Sequence, residues 1–221
     1  SEMCIRDSAK INLGLDVLGR RENGYHDVRM VMQSIYLYDE VKIAKKKEPG
    51  ITLTTNLKFL PTGDGNIAYK AAQLLMDEFD LKEGVQITLN KHIPVAAGLA
   101  GGSSNAAAVL FGMNRLFGLR LTQQELMDRG VKLGADVPYC IMRGTVLAEG
   151  IGEELSVLPA MPKCTVLIAK PPISVSTKMV YEALDSKEIV EHPDIDGILE
   201  GLRKGDLHKV ADSMGNVLED V

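Results

Sequence analysis

Residues 94–104 read PVAAGLAGGSS and run straight into NAAAVLFGMNRL. Glycine and alanine let a backbone approach a ligand closely, and glycine takes up left-handed turns that larger residues resist. A helix beginning where such a loop ends leaves its first N–H groups without intrahelical acceptors, at the positive end of the helix dipole. That combination suits a phosphate. Pro94, Val95, Ala96, Ala97, Gly98, Leu99, Ala100, Gly101 and Gly102 would form the backbone cradle. Ser103, Ser104 and Asn105 can add side-chain donors or cap the helix. The loop holds no lysine, so it is not a G-x-x-x-x-G-K-[ST] phosphate loop, and the spacing of Gly98, Gly101 and Gly102 does not match G-x-G-x-x-G. The competing reading is a tight strand-to-helix turn packed on a neighbour; GGSSNA at the helix entrance favours an anion.

Other residues have types suited to chemistry. Asp136 lies in LGADVPYC, an otherwise apolar segment where a carboxylate is costly unless paired. It also reads as a helix or turn cap. Lys10 projects from the polar face of an alternating run, where on its own it reads as a surface lysine. Tyr25 can stack on a base and His26 can hydrogen-bond a base edge, or they are ordinary packing and an exposed loop histidine. Thr177 and Tyr181 are four apart, hence on one helical face, and Thr177 equally suits an N-cap. His92, His192 and His208 take no role.

These residues need elements to hold them. AKINLGLDV alternates, with Ala9, Ile11, Leu13, Leu15 and Val17 on one face and Lys10, Asn12, Gly14 and Asp16 on the other. A turn follows at Asn23-Gly24, then strand-like runs over 28–35, 39–44 and 51–57. Asn66 is placed to cap a helix over 67–79. GVQITLNKHI is another strand and leads directly into the glycine loop. Thr122 and Glu125 form a capping-box pattern, and 144–159 reads as a hairpin. LPAMPK, 158–163, is the linker candidate. A strand over 164–169 and helical patterns follow, with helical spacing from Leu207 to Val221. Mixed strands and helices without a regular βαβ rhythm indicate an α+β fold.

Length and composition narrow the function. The 221 residues suggest one large domain or two small ones, and 45% hydrophobic residues suffice for a core. A net charge of −5 without a basic stripe argues against nucleic-acid binding. Three widely spaced cysteines show no metal-ligand spacing and fit a reduced, cytoplasmic protein. No apolar run reaches the length of a bilayer span and no signal peptide is visible, so no membrane partner is expected.

PVAAGLAGGSSNAA, AKINLGLDVLGRRENGYH and LGADVPYC, in this order, resemble the motifs of the GHMP kinases. The resemblance covers Ala9 to Val221. It is nearest to the branch that phosphorylates the 2-hydroxyl of a cytidine diphosphate methylerythritol in non-mevalonate isoprenoid synthesis. It implies a two-domain α+β fold: a ribosomal protein S5 domain 2-like ATP-binding domain over 9–158, then an incomplete ferredoxin-like domain over 163–221. SEMCIRDS, residues 1–8, has no Met at position 1 and carries charges where the strand is expected to start, and reads as a non-native scar. The resemblance implies that ATP is held by residues 94–104 with Asn66 and Lys91 nearby, and that Lys10 and Asp136 are the catalytic pair. Tyr25, His26, Thr177 and Tyr181 would meet the cytidine, and Asn12 the methylerythritol end. Where this chain has Tyr181 the family often has Phe, which keeps a stacking ring and adds a hydroxyl. Mg²⁺ is expected with the ATP, bridging phosphate oxygens, with no dedicated protein cage; Ser103 or Ser104 can offer a hydroxyl. Family members continue past NVLEDV into a further glycine-rich motif, so this chain is expected to bind ATP weakly or to be unstable. A monomer or weak homodimer is expected. The rival readings are another GHMP kinase, of homoserine or mevalonate type, and a non-catalytic nucleotide-binding module.

Overall fold

A computed structural model of the chain describes residues 2–171, 177–186 and 191–220. Two compact units interleave along the sequence. The first takes Ser1–Ala9, Tyr36–Val95 and Leu99–Met142; the second takes Lys10–Ile35, Ala96–Gly98 and Arg143–Val221. The α+β class read from the sequence holds.

Two long neighbouring strands, β1 (Glu2–Arg20) and β2 (His26–Lys46), contribute to both units. The alternation in β1 buries Ala9, Leu13, Leu15 and Val17. Its polar face is not solvated either: Lys10 and Asp16 are 5% and 6% exposed. The strand starts before the alternating run, and the segment read as a scar joins it from Glu2 onward, with Asp7 buried. The turn forms at Asn23-Gly24. Gly24 has φ +86°, the Arg21 N–H donates to the Tyr25 carbonyl at 2.7 Å, and the Asn23 side chain accepts from the Tyr25 N–H at 3.1 Å.

The first unit continues with β3 (Ile51–Thr55), α1 (Ile67–Glu78), β4 (Gly84–Asn90), α2 (Gly101–Phe117), α3 (Gln123–Gly130) and α4 (Val137–Met142). β4 runs antiparallel to β2, with Val41 opposite Leu89 and Ile43 opposite Ile87, and parallel to β3. All four of those β2 and β4 side chains are buried. Asn66 caps α1, its Oδ1 accepting from the Ala68 N–H at 2.9 Å. The capping box of α3 closes in both directions: Thr122 Oγ1 accepts from the Glu125 N–H at 3.2 Å, and Glu125 Oε2 accepts from the Thr122 N–H at 2.8 Å. α1 packs on α2 through alanine-rich buried faces. α2 sits on the sheet at Gly112, where an added Cβ would run into Ile43 and Ile5.

The second unit adds β5 (Thr145–Glu149), β6 (Glu154–Val157), α5 (Thr177–Leu184), α6 (Ile195–Lys204), α7 (Leu207–Asp212) and β7 (Gly215–Asn216), then a 3₁₀ turn, Val217–Asp220. β5 and β6 form the expected hairpin, and β5 also pairs with β2 at Met30–Gln33. Leu13 and Val31 pack with Ile195, Ile198, Leu199, Leu202 and Val210. Gly14 admits α6 onto β1: an added Cβ would lie 2.6 Å from both Ile195 and Ile198.

Two expectations fail here. The run 164–169 is not a strand. It is exposed, and among the described residues no neighbour supplies a ladder, so its alternation has nothing to pair with. The helix expected from Leu207 to Val221 stops at Asp212. Gly215 and Asn216 then pair parallel with Gly14 and Leu15 of β1. Gly215 is an unfavourable helical residue, and an added Cβ there would lie 3.2 Å from Pro193. Among the described residues no helix is long and apolar enough to cross a membrane.

Candidate active site

The glycine loop connects β4 to α2 in the first unit's order of elements. Ala96, Gly98 and Ala100 have φ of +53°, +69° and +55°. The left-handed region costs a non-glycine residue on the order of 1–3 kcal/mol, so two alanines held there signal a backbone shape fixed by its surroundings. Ala100 is the N-cap of α2 and supplies no side-chain cap. The first helical bond runs from the Ser104 N–H to the Ala100 carbonyl at 2.8 Å. Among the described residues, the N–H groups of Gly101, Gly102 and Ser103 therefore have no acceptor. Gly102 is exposed, and Gly101 and Ser103 are half-buried. Amides without acceptors at the positive end of a 17-residue helix are the arrangement that suits an anion.

Chain neighbours of two other expected residues, Asn66 and Asp136, lie at this end of α2. An added Cβ on Gly102 would lie 3.5 Å from Ile67, the residue after Asn66. One on Gly134, two residues before Asp136, would lie 3.9 Å from Ser103 Oγ. Asp136 is half-buried, and its carbonyl accepts from the Cys140 N–H at 3.0 Å, leading into the buried residues Val137, Pro138, Tyr139 and Cys140 of α4.

Beneath the loop lies a buried polar cluster. Asp39, fully buried on β2, accepts from two successive amides at the exit of β4, His92 N–H at 2.6 Å and Ile93 N–H at 2.8 Å. Its other oxygen accepts from Asn105 Nδ2 at 2.9 Å and from the Lys91 ammonium. Lys91 also donates to Asn105 Oδ1 at 2.9 Å. Lys91, expected near the nucleotide, thus turns inward under the start of α2; an added Cβ on Gly101 would lie 3.2 Å from its Nζ. Asp7 joins the cluster, Oδ2 accepting from Asn105 Nδ2 at 2.5 Å and from Ser104 Oγ at 3.0 Å. Its Oδ1 is buried and has no hydrogen-bond partner among the described residues. Burial pushes the Asp7 carboxyl up to about 6, the neighbouring Asp39 charge adds to this, and the bonds from Asn105 and Ser104 oppose it.

In the second unit, Lys10 Nζ donates to Asn12 Oδ1 at 3.1 Å, joining two of the expected site residues along one strand. His26 lies on Tyr181, with ring centroids 4.8 Å apart and planes tilted by 38°. Its Nε2 meets Asp185 Oδ1 at 2.6 Å, and Arg20 holds the other Asp185 oxygen at 3.2 Å. Tyr25 is 59% exposed, a ring open to a ligand. Thr177 opens α5, and its side chain lies outside the described residues. Lys10 and Asp136, the expected catalytic pair, belong to different units.

Asp39 and Asp185 were not singled out in the sequence. Asp39 had left a signal: it falls in phase with Val41 and Ile43 on the inward face of β2, where a carboxylate needs partners. Asp185 had left none, because its histidine partner is 159 residues away.

Residues 66–144 match the model of the GHMP kinases N terminal domain. Over 217 residues the chain is 59% identical to a 4-diphosphocytidyl-2-C-methyl-D-erythritol kinase of Lachnospira eligens, covering 98% of this chain and 75% of that protein. It is 58% identical over 213 residues to the kinase of the same name from Lachnoclostridium phytofermentans, covering 96% and 73%. A crystal structure of a 4-(cytidine 5'-diphospho)-2C-methyl-D-erythritol kinase superposes with a TM-score of 0.77 at 30% identity, covering 99% of this chain and 76% of that one. With motifs, fold and relatives in agreement, the chain belongs to the GHMP kinase family, among the 4-diphosphocytidyl-2-C-methyl-D-erythritol kinases.

Proposed function

We propose that this chain transfers the γ-phosphate of ATP to the 2-hydroxyl of 4-diphosphocytidyl-2-C-methyl-D-erythritol. The observation that carries the phosphate half of this reading is the open start of α2, where Gly101, Gly102 and Ser103 present unpaired amides behind a left-handed loop. These groups fit a triphosphate: the donors are neutral and preorganised, and Gly102 adds no side chain in front of them. The substrate half draws on the names of the relatives and on His26, Tyr25 and Tyr181, rings able to stack on a pyrimidine and bond its edge.

Phosphoryl transfer depends mainly on positioning and charge stabilisation. In this reading the loop amides hold the phosphates and Asp136, at the mouth of α4, orients the attacking hydroxyl and takes its proton. Lys10 steadies the charge that develops, with Asn12 holding its ammonium. Mg²⁺, when bound with the nucleotide, would supply charge neutralisation during transfer. Among the described residues no group of three or more His, Cys, Asp or Glu side chains is placed to hold a metal ion. Ser103 is the hydroxyl at hand, and phosphate and water oxygens would complete the shell. The reading carries with it a cytoplasmic location and a monomer or weak homodimer.

The test is an ATP-dependent phosphorylation assay offering the cytidine diphosphate alcohol, homoserine and mevalonate in parallel. Turnover of the cytidine substrate alone is expected. Turnover of a simple alcohol in its place would favour another GHMP kinase, and nucleotide binding without transfer to any of them a non-catalytic module.

A further inference from the structure

We infer that Asp39 is a positioning residue for the nucleotide: it ties the exit of β4 to the start of α2 and so sets where the phosphate-binding amides point. This rests on the proposed phosphate role of the loop. The Asp39 carboxylate has about four acceptor positions, and four donors occupy them: the N–H groups of His92 and Ile93, the Lys91 ammonium and Asn105 Nδ2. Three of these donors, on Lys91, His92 and Ile93, lie just before the loop, and one, on Asn105, lies on α2 just after it. The loop carries three left-handed residues in five, Ala96, Gly98 and Ala100, a shape that two alanines do not hold unaided. Asp39 is fully buried, and all its partners belong to the first unit.

An aspartate is specified here rather than an amide. All four partners are donors, so an asparagine must turn its NH₂ toward two of them whichever way it flips. Either the amides of His92 and Ile93 or the pair Lys91 and Asn105 would lose their acceptor. One end of the loop would be released while the fold around it keeps its shape.

The experiment compares the chain with Asp39→Asn, and with the double variant Asp39→Asn/Lys91→Met, which removes both charges of the buried Asp39–Lys91 pair together. Circular dichroism and thermal unfolding establish that each is folded. Titration with ATP·Mg²⁺ and, separately, with cytidine diphosphate gives the two affinities. The expected result in both variants is ATP binding weakened by about tenfold or more, since displacements near 1 Å cost up to about a hundredfold, with cytidine diphosphate affinity unchanged. A lowered Tm with ATP affinity intact below the transition would overturn the inference, because that is a purely structural role. Equal weakening of both ligands would overturn it too. If the unaltered chain binds no ATP, the phosphate reading of the loop falls and the inference with it, and that outcome is visible without any variant.

Discussion

Removing the charge of Asp7 should stabilise the protein, by an amount that depends on pH. Asp7 is 1% exposed, lies beside Asp39, and among the described residues one of its carboxyl oxygens has no partner. It keeps its proton to about 6 in the folded chain against a reference of 3.8. Below about pH 4 both folded and unfolded forms are protonated and no penalty exists. Between about 4 and 6 the unfolded chain ionises first, and the penalty on folding grows. Above 6 both are ionised and the penalty is complete. At about 1.4 kcal/mol per pH unit, the gap between 3.8 and 6 amounts to about 3 kcal/mol. Asp7→Asn keeps an acceptor oxygen for Asn105 and Ser104 but weakens those charge-assisted bonds by about 1 kcal/mol. The net expectation at pH 8 is a gain of about 2 kcal/mol, or roughly 4 to 8 °C in Tm for a chain of this size. At pH 4 the gain should vanish or reverse slightly. Urea and thermal unfolding of both proteins at pH 4, 6 and 8 would measure this. A gain that does not change with pH, or a loss at pH 8, would refute the reasoning, since either would mean that the buried charge is not what costs stability.

Asp136→Asn should lower turnover by about a hundredfold or more while leaving ATP affinity within a few fold, as expected for a group acting on the transferred proton; near-normal turnover in steady-state assays would remove it from the catalytic pair. Gly101→Ala should weaken ATP binding by several-fold and lower Tm as well, because its Cβ would press on Ile93 at 3.0 Å and on Lys91; isothermal titration well below the transition, beside a melting curve, separates the two effects. Asp185→Ala should free the His26 ring, now held at 2.6 Å, and reduce affinity for cytidine diphosphate but not for ATP; an equal loss for both nucleotides would count against a cytidine role for His26.

Local features were legible in the sequence because local physics decides them. The alternation of β1, the Asn66 cap, the Thr122 and Glu125 capping box, the Asn23-Gly24 turn and the open helix after the glycine loop all depend on residues a few positions apart. The failures came where a distant partner decides. The run 164–169 alternates as a strand does, but among the described residues it meets no ladder. The helical spacing after Asp212 gave way to two residues pairing with β1, some 200 positions earlier. The same limit hid the support of the site. Lys91, which the resemblance implies near the nucleotide, is buried against Asp39, a partner 52 residues away. A polar residue on an apolar face was the usable clue, since Asp39 sits in phase with Val41 and Ile43 where the pattern of β2 calls for burial.

The most direct test of the central claim is amide hydrogen exchange at Gly101, Gly102 and Ser103, with and without saturating ATP·Mg²⁺. If these three N–H groups grip the phosphates, their exchange slows markedly on adding ATP and much less on adding adenosine. If ATP binds, by calorimetry, while these amides exchange at an unchanged rate, the triphosphate is held elsewhere and the account of this site is wrong.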